Sequence, residues 1–360
     1  MARCYDAESA CVAGGGGISH PLGRVPGTGE LVEVAPDVFW SRIPMPGKLD
    51  HINVWLFVDE DGVSVVDTGM RTSEAEDAWR SLIRQIQEYG AIQRVFVTHM
   101  HPDHVGLAGW LTECHPAQFW MTRQEYMTCR ILEAQSHDDR VPDCFTSFHR
   151  SAGWPAAAIR SYSRHYGNFG KRVYPLPRAY HRLEHGQNHV IGGHNWRIIV
   201  GSGHSPEHAC FYCEPLKLLV SGDQVLPRIS SNVSVTPMEP LANPMADWLD
   251  SLRRLKAEVP NDVLVLPAHQ ECFVGLHERI DALIAGQERA FALLRQSLRE
   301  GPRRVVDLFD ILFSRPIRED DPLIFSLATG EAQACLNYLW ESSELTCSVD
   351  SQGVCWYRAD

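Results

Sequence analysis

Apolar and polar positions alternate in short runs over the first part of the chain. "LVEVAPDVFWSRIP" (31–44) and "HINVWLFVDEDGVSVVDTG" (51–69) concentrate Val, Ile, Phe and Trp, which suit a pleated, half-buried surface, and "DEDG" supplies a hairpin turn. The period then lengthens. In "SEAEDAWRSLIRQIQEYG" the residues Ala75, Trp79, Leu82, Ile83 and Ile86 recur at helical spacing, and Gly90 supplies a stop. "IQRVFVTH" predicts a short strand and "DHVGLAGWLTEC" a second helix. From 118 to 190 the pattern breaks into a stretch rich in Arg, His, Tyr and Pro. Helix-like pieces there, "RQEYMTCRILEA" and "WPAAAIRSYSRHYG", predict a helical insertion. Strands resume at "NWRIIVGSGHS", "HACFYCEP", "LKLLVSGDQVL" and "DVLVLPAHQ". From Leu276 the chain turns helical, with Ile280, Leu283, Phe291, Leu294 and Leu298 on one face, and "LTCSVDSQGVCWYR" closes it as a hairpin.

Composition narrows the class. The 360 residues, 44% hydrophobic and 22% charged, suffice for one large domain plus a smaller one, or for two of medium size. The net charge of −12 argues against general polyanion binding. No apolar run approaches the roughly 20 residues that span a bilayer, so no membrane partner is expected. "MARCYDAESACVAGGGGISHPLG" has no continuous apolar segment of a secretion signal, and residues 1–30 read as a flexible tail. Eleven cysteines without framework spacing are an odd number, which fits reduced thiols in a cytoplasm. No period of about 20–50 residues recurs, which excludes a repeat architecture.

The chemistry gathers in "THMHPDHVG" (98–106), where His99, His101, Asp103 and His104 crowd into one strand-to-helix segment. His99 and His101, two apart, point to the same side of the backbone, while Asp103 and His104 can turn to a second point. Three more residues of ligand type follow at later strand ends: His204 in "GSGHSPEH", Asp223 in "VSGDQV" and His269 in "LPAHQE". Neutral imidazoles and carboxylates are what zinc or another borderline divalent ion accepts. One loop can therefore feed two neighbouring ions, with distant ligands closing the shells. Isolated histidines such as His115 and His149 are read as structural.

These motifs resemble the HxHxDH signature of the metallo-β-lactamase superfamily over roughly residues 31–275, with the later motifs in order and "VVDTG" at the place of its upstream strand. The resemblance implies an αββα sandwich (31–275, with 118–190 as a helical lid) followed by a small winged-helix-like domain (276–360). It implies one ion on His99, His101 and His204, a second on Asp103, His104 and His269, and Asp223 bridging both. Two zinc ions per chain are implied, with iron or manganese as alternatives. Asp67 would support a ligand histidine from behind, and a metal-bridged hydroxide, oriented by Asp103, would attack the substrate. "GHSPEH" departs from the family in having Glu207 where relatives carry glycine, and His208 is either a support for the ligands or structural.

Other motifs are set aside. Cys210 and Cys213 in "CFYC" fall on a strand, where residues three apart face opposite sides. "GGGG" (14–17) follows no strand and opens no helix, so it is no nucleotide loop. "RSYSRHYGNFGKR" reads as a substrate-facing lid or a plain solvated surface. Between Asp321 and Asp360 the single basic residue, Arg358, stands against six acidic ones, so the tail domain is read as a packing or oligomer element, or a wall of the substrate pocket, with no DNA partner. Arg228, Ser231 and Asn232, close after Asp223, are candidate substrate contacts. The resemblance points first to hydrolysis of a thioester or carboxylic ester, including acyl-CoA, acyl-carrier or lactone substrates. A metal-dependent ribonuclease or phosphodiesterase, and an iron-dependent persulfide dioxygenase, are the alternatives, and a homo-oligomer is possible.

Overall fold

The computed structural model describes residues 17–138 and 140–359. Seven strands lie across the first sheet in chain order: β1 (Val32–Ala35), β2 (Val38–Pro44), β3 (His51–Asp59), β4 (Gly62–Val66), β5 (Ile92–Phe96), β6 (Gln118–Thr122) and β7 (His181–Leu183). The pairs up to β3·β4 are antiparallel and those from β4·β5 onward are parallel. The second sheet comprises β8 (Asn188–Ile191), β9 (His194–Gly201), β10 (His208–Cys213), β11 (Leu218–Gly222) and β12 (Leu264–Pro267), side by side in order from β12 to β8.

Strand alternation builds the layers. On β3, Val54 and Leu56 join Trp79 and Leu82 of α1 (Ser73–Gln85), whereas Trp55 and Phe57 face Trp196, Ile198 and Phe211 of the second sheet. On β10, Phe211 and Cys213 face the first sheet, while Cys210 and Tyr212 pack under α7 (Pro244–Glu258) and α8 (Leu276–Glu300). The result is helix, sheet, sheet and helix, an αββα sandwich. Phe57 meets Trp196 edge-on at 5.1 Å between the sheets. Complete burial of one such large apolar side chain contributes about 1.5–3 kcal/mol, which is why the sheets stack in one register.

The first helix starts where Thr72 Oγ1 accepts the Ala75 N–H at 3.1 Å. The stretch expected as one helix over 103–114 is two, α2 (Pro102–Val105) and α3 (Ala108–Cys114). They part at Gly106, where an added Cβ would lie 2.3 Å from the Pro102 carbonyl oxygen. Within the expected helical insertion, α4 (Arg123–Ala134), α5 (Asp143–Ser151) and α6 (Ala156–Ser163) are helical, but the ends at 118–122, 181–183 and 188–191 are sheet strands. Those strands are short, and their Gln, His and Arg residues mask the apolar period. Within the stretch expected as a tail over 1–30, the described residues 17–30 are bridged to the rest of the protein. Residues 1–16, with most of the glycine run, lie outside the described residues, and Ser19 then pairs with Val274 and Thr28 with Arg42.

After α8 come α9 (Phe309–Leu312), α10 (Pro322–Glu341) and the hairpin β13 (Leu345–Val349)–β14 (Cys355–Ala359). Phe291, Leu294, Leu336 and Leu339 of this segment share one continuous core with Leu219 and Val265 of the second sheet. No disulfide joins the nine described cysteines, Cys210 and Cys213 among them. No helix among the described residues is long and apolar enough to cross a membrane.

Candidate metal centre

Every ligand-type residue singled out in the sequence sits just beyond the end of a strand. Asp67 follows β4, His99 to His104 follow β5, His204 follows β9, Asp223 follows β11 and His269 follows β12. The strand ends are stitched together: Ala209 N–H donates to the Thr98 carbonyl across the two sheets at 2.8 Å, and Ala268 N–H to the Gly222 carbonyl within the second sheet at 3.1 Å. Gly222 is required here. Its φ is +50°, and a Cβ would stand 2.5 Å from His208 Nε2.

The side chains converge as two overlapping clusters. His99 Nε2, His101 Nδ1 and His204 Nε2 form a triangle with sides of 2.9, 3.0 and 3.1 Å. Asp103, His104 and His269 form the second group, with His269 Nε2 at 3.3 Å and His104 Nε2 at 3.7 Å from Asp103 Oδ2. Asp223 faces both: its Oδ2 lies 3.4 Å from His204 Nε2 and 3.6 Å from His104 Nε2, and its Oδ1 lies 3.5 Å from His269 Nε2.

The outward nitrogens explain why the inward ones are bare. His104 Nδ1 donates to Asp67 Oδ2 at 2.8 Å, His204 Nδ1 to the Asn232 carbonyl at 2.7 Å and His269 Nδ1 to the His51 carbonyl at 2.9 Å. His99 Nδ1 meets Thr98 Oγ1 at 3.0 Å, and that hydroxyl donates in turn to Asp67. A ring tied in this way turns a lone pair inward whenever it is neutral, and lone pairs facing one another repel unless a cation lies between them. Two ligand atoms on a tetrahedral zinc are about 3.3 Å apart, given zinc–nitrogen bonds of about 2.0–2.1 Å, close to the observed triangle. His104 Nε2 and Asp223 Oδ1 are buried without any hydrogen-bond partner. The residues present fit metal ions.

Electrostatics points the same way. Burial pushes His99 well below the ordinary histidine range, helped by His104, His101 and His204. Burial, with His204 second, holds His101 down to about 3. At His104 burial acts in the same direction, but Asp67, Asp223 and Asp103 outweigh it and raise the pKa well above the ordinary range; Asp223 and Asp103 likewise raise His269. Burial would lift Asp103 and Asp223, yet His104 and His269 pull both below the usual carboxylate range. The ion-pair partners found for Asp67, Asp103 and Asp223 are all histidines. Three enclosed carboxylates without Lys or Arg call for bound positive charge.

The supporting residues sort themselves by contact. Asp67, at φ +64°, accepts from the Thr98 N–H at 2.8 Å as well as from His104. His208 lies behind His99, stacked at 4.8 Å, and accepts the Asp223 N–H at 3.1 Å. Glu207, the departure from the family pattern, accepts the Gln124 N–H at the start of α4 at 2.8 Å and so fastens its loop to the insertion. Each candidate substrate contact also has a partner within the protein. Arg228 pairs with Glu271 at 3.0 Å, Ser231 Oγ donates to the Asp223 carbonyl, and the Asn232 amide donates to Glu331 at 2.9 Å. Sequence reasoning missed Thr98, the carbonyl role of Asn232, and Glu125, a fully buried carboxylate of α4. A buried Glu in a helix first turn gives no distinguishing sequence signal.

Known proteins resemble this chain in sequence and fold. The profile of the metallo-beta-lactamase superfamily matches residues 47–269, and that of the metallo-beta-lactamase-like C-terminal domain matches residues 291–360. A beta-lactamase domain protein from Burkholderia ambifaria superposes with a TM-score of 0.82 at 34% identity, covering 95% of this chain and 99% of its own. The probable metallo-hydrolase YqjP of Bacillus subtilis is 23% identical over 325 residues, 85% of this chain and 96% of that protein. The atrochrysone carboxyl ACP thioesterase nsrC of Aspergillus novofumigatus is 23% identical over 275 residues, 75% of this chain and 66% of that protein.

Proposed function

The chain belongs to the metallo-beta-lactamase superfamily, and from that membership we propose that it is a dinuclear metal-dependent hydrolase of thioesters, with carboxylic esters as slower substrates. His99, His101 and His204 would hold one cation, Asp103, His104 and His269 the other, with Asp223 shared. When bound, two such cations, zinc in our reading, supply Lewis acidity toward the substrate carbonyl and lower the pKa of a coordinated water to about 7.

The protein's part is positional. Asp103, whose side chain is 15% exposed against 11% for Asp223 and 2% for Asp67, is the acid that reaches the open side, where it accepts a hydrogen bond from the attacking water and orients it. Asp67, Asn232 and His51 fix the ring orientations of His104, His204 and His269.

The observation that favours a thioester is the commitment of the imidazoles. With the proposed cations bound, both nitrogens of His99, His104, His204 and His269 would be engaged, leaving none of these four to protonate a departing alkoxide. A thiolate, of pKa about 8.5, departs without that help. The similarity to a thioesterase supports the same choice, and described cysteines that form no disulfide suit a cytoplasmic, reducing setting.

The test is metal analysis of protein purified without chelator, followed by a panel of acyl-CoAs, p-nitrophenyl esters, lactones, nitrocefin and a phosphodiester. Close to two metals per chain with fastest turnover of the acyl-CoA is expected. Fewer than one metal per chain, preferred cleavage of the phosphodiester, or oxygen uptake with a persulfide would overturn the proposal.

A further inference from the structure

The first cluster draws its ligands from two loops of different sheets: His99 and His101 from one, His204 from the other. Something must keep these loops in register, and a single side chain touches both. Glu125, fully buried at the third position of α4, extends away from its own helix. Its Oε2 accepts the N–H of Met100, the residue between His99 and His101, at 2.9 Å. Its Oε1 accepts the N–H of Glu207, three residues beyond His204, at 2.7 Å. The same junction is closed from the other side. Thr122 Oγ1 donates to the Glu207 carbonyl at 2.7 Å, and Glu207 Oε2 accepts the Gln124 N–H at 2.8 Å.

We propose that Glu125 is a positioning residue for the metal centre, a two-pronged acceptor by which the insertion sets the spacing between the His99–His101 loop and the His204 loop. The role rests on the proposed metal binding and goes beyond it. A purely apolar strut would join the loops at less expense, because an enclosed carboxylate without a cation costs several kcal/mol. Burial indeed pushes the Glu125 pKa up. What only a carboxylate offers is an acceptor on each prong. A glutamine of the same shape presents one oxygen and one NH2, so one of the two N–H groups would face a donor. The loop bearing that N–H would then shift, and the histidine triangle would open.

The experiment compares wild type with Glu125→Gln, read by zinc affinity in chelator competition and by the visible spectrum of the cobalt-substituted protein. We expect zinc to bind the variant about 10–100-fold more weakly, the range for residues that orient ligands from behind. The cobalt spectrum should change as well, while the far-UV circular dichroism and the melting temperature of the metal-free protein stay close to wild type. Unchanged zinc affinity and an unchanged cobalt spectrum overturn the role, whatever the melting temperature does. Glu125→Asp, which keeps the charge but is too short for both prongs, reads the same quantities if the glutamine variant does not fold. Failure of both to fold also overturns the role, since the carboxylate would then serve the fold. A wild-type protein that takes up no zinc overturns the proposed function itself. Uptake by wild type with indifferent variants removes only Glu125.

Discussion

Two regions of the molecule each enclose a histidine with a bare nitrogen. At the strand ends, His104 turns its unpartnered Nε2 toward Asp103 and Asp223, while Asp67 holds its other nitrogen. In the insertion, His149 also has a buried Nε2 without a partner, while its Nδ1 donates to the Phe145 carbonyl at 2.6 Å. The surroundings differ completely. Around His149 stand Phe145, Trp154 and Tyr162, with ring centroids 4.7, 4.4 and 5.0 Å away. Burial there pushes the imidazole down to about 4, whereas carboxylates push His104 up. An orphan nitrogen therefore marks a metal site only where acids converge on it. Among aromatic rings it marks a neutral side chain used as packing.

The contrast can be broken most forcefully at the shared carboxylate. Asp223→Ala removes a ligand-type group from both clusters, so metal content should fall and turnover of a thioester should drop by at least about 100-fold. Retention of both metals with near wild-type turnover would make the two regions alike. Asp67→Ala removes the support behind His104 and, through Thr98, behind His99, and should weaken metal binding by about 10–100-fold, measured by chelator competition. Gly222→Ala forces a Cβ against His208 and a side chain into φ +50°; a loss of about 1–3 kcal/mol in urea unfolding is expected. An unaltered midpoint would show that the strand end has room to spare.

The smallest effect belongs to His149. Between pH about 4 and 6.5 the unfolded chain binds a proton that the folded ring refuses, so stability rises with pH across that window. It is complete above the unfolded value and lost as the pH falls toward 4, by at most about 3 kcal/mol. In the metal-loaded protein, His149→Phe should flatten that part of the stability curve; an equally steep curve would place the titrating group elsewhere.

Much of this was legible in the chain because the decisive signals are periodic or contiguous. Trp55 and Phe57 alternate with Val54 and Leu56, and the face of α8 from Leu276 to Leu298 follows a helical period, so those elements declare themselves. Four ligand-type residues within six positions do the same for the front loop. What stayed hidden depends on distant partners. Glu125 reaches N–H groups 25 and 82 positions away, and backbone groups look alike in any sequence. Arg228, Ser231 and Asn232 stood out for being polar and near Asp223, but proximity along the chain does not reveal that they pair with Glu271, the Asp223 carbonyl and Glu331. The helix α7 was passed over although Asn243, which accepts the Ala246 N–H, and Pro244 form an ordinary helix start.

The first sheet takes its strands in chain order, while the centre waits for His204, Asp223 and His269. During synthesis at about 5–20 residues per second, the front loop emerges on the order of ten seconds before its last partner. The nascent amino-terminal half can thus pair its strands, but it cannot retain an ion in the full site. On the proposed metal binding, ion capture by the full site would fall at the end of assembly, and a holo centre would certify that both halves of the polypeptide have docked.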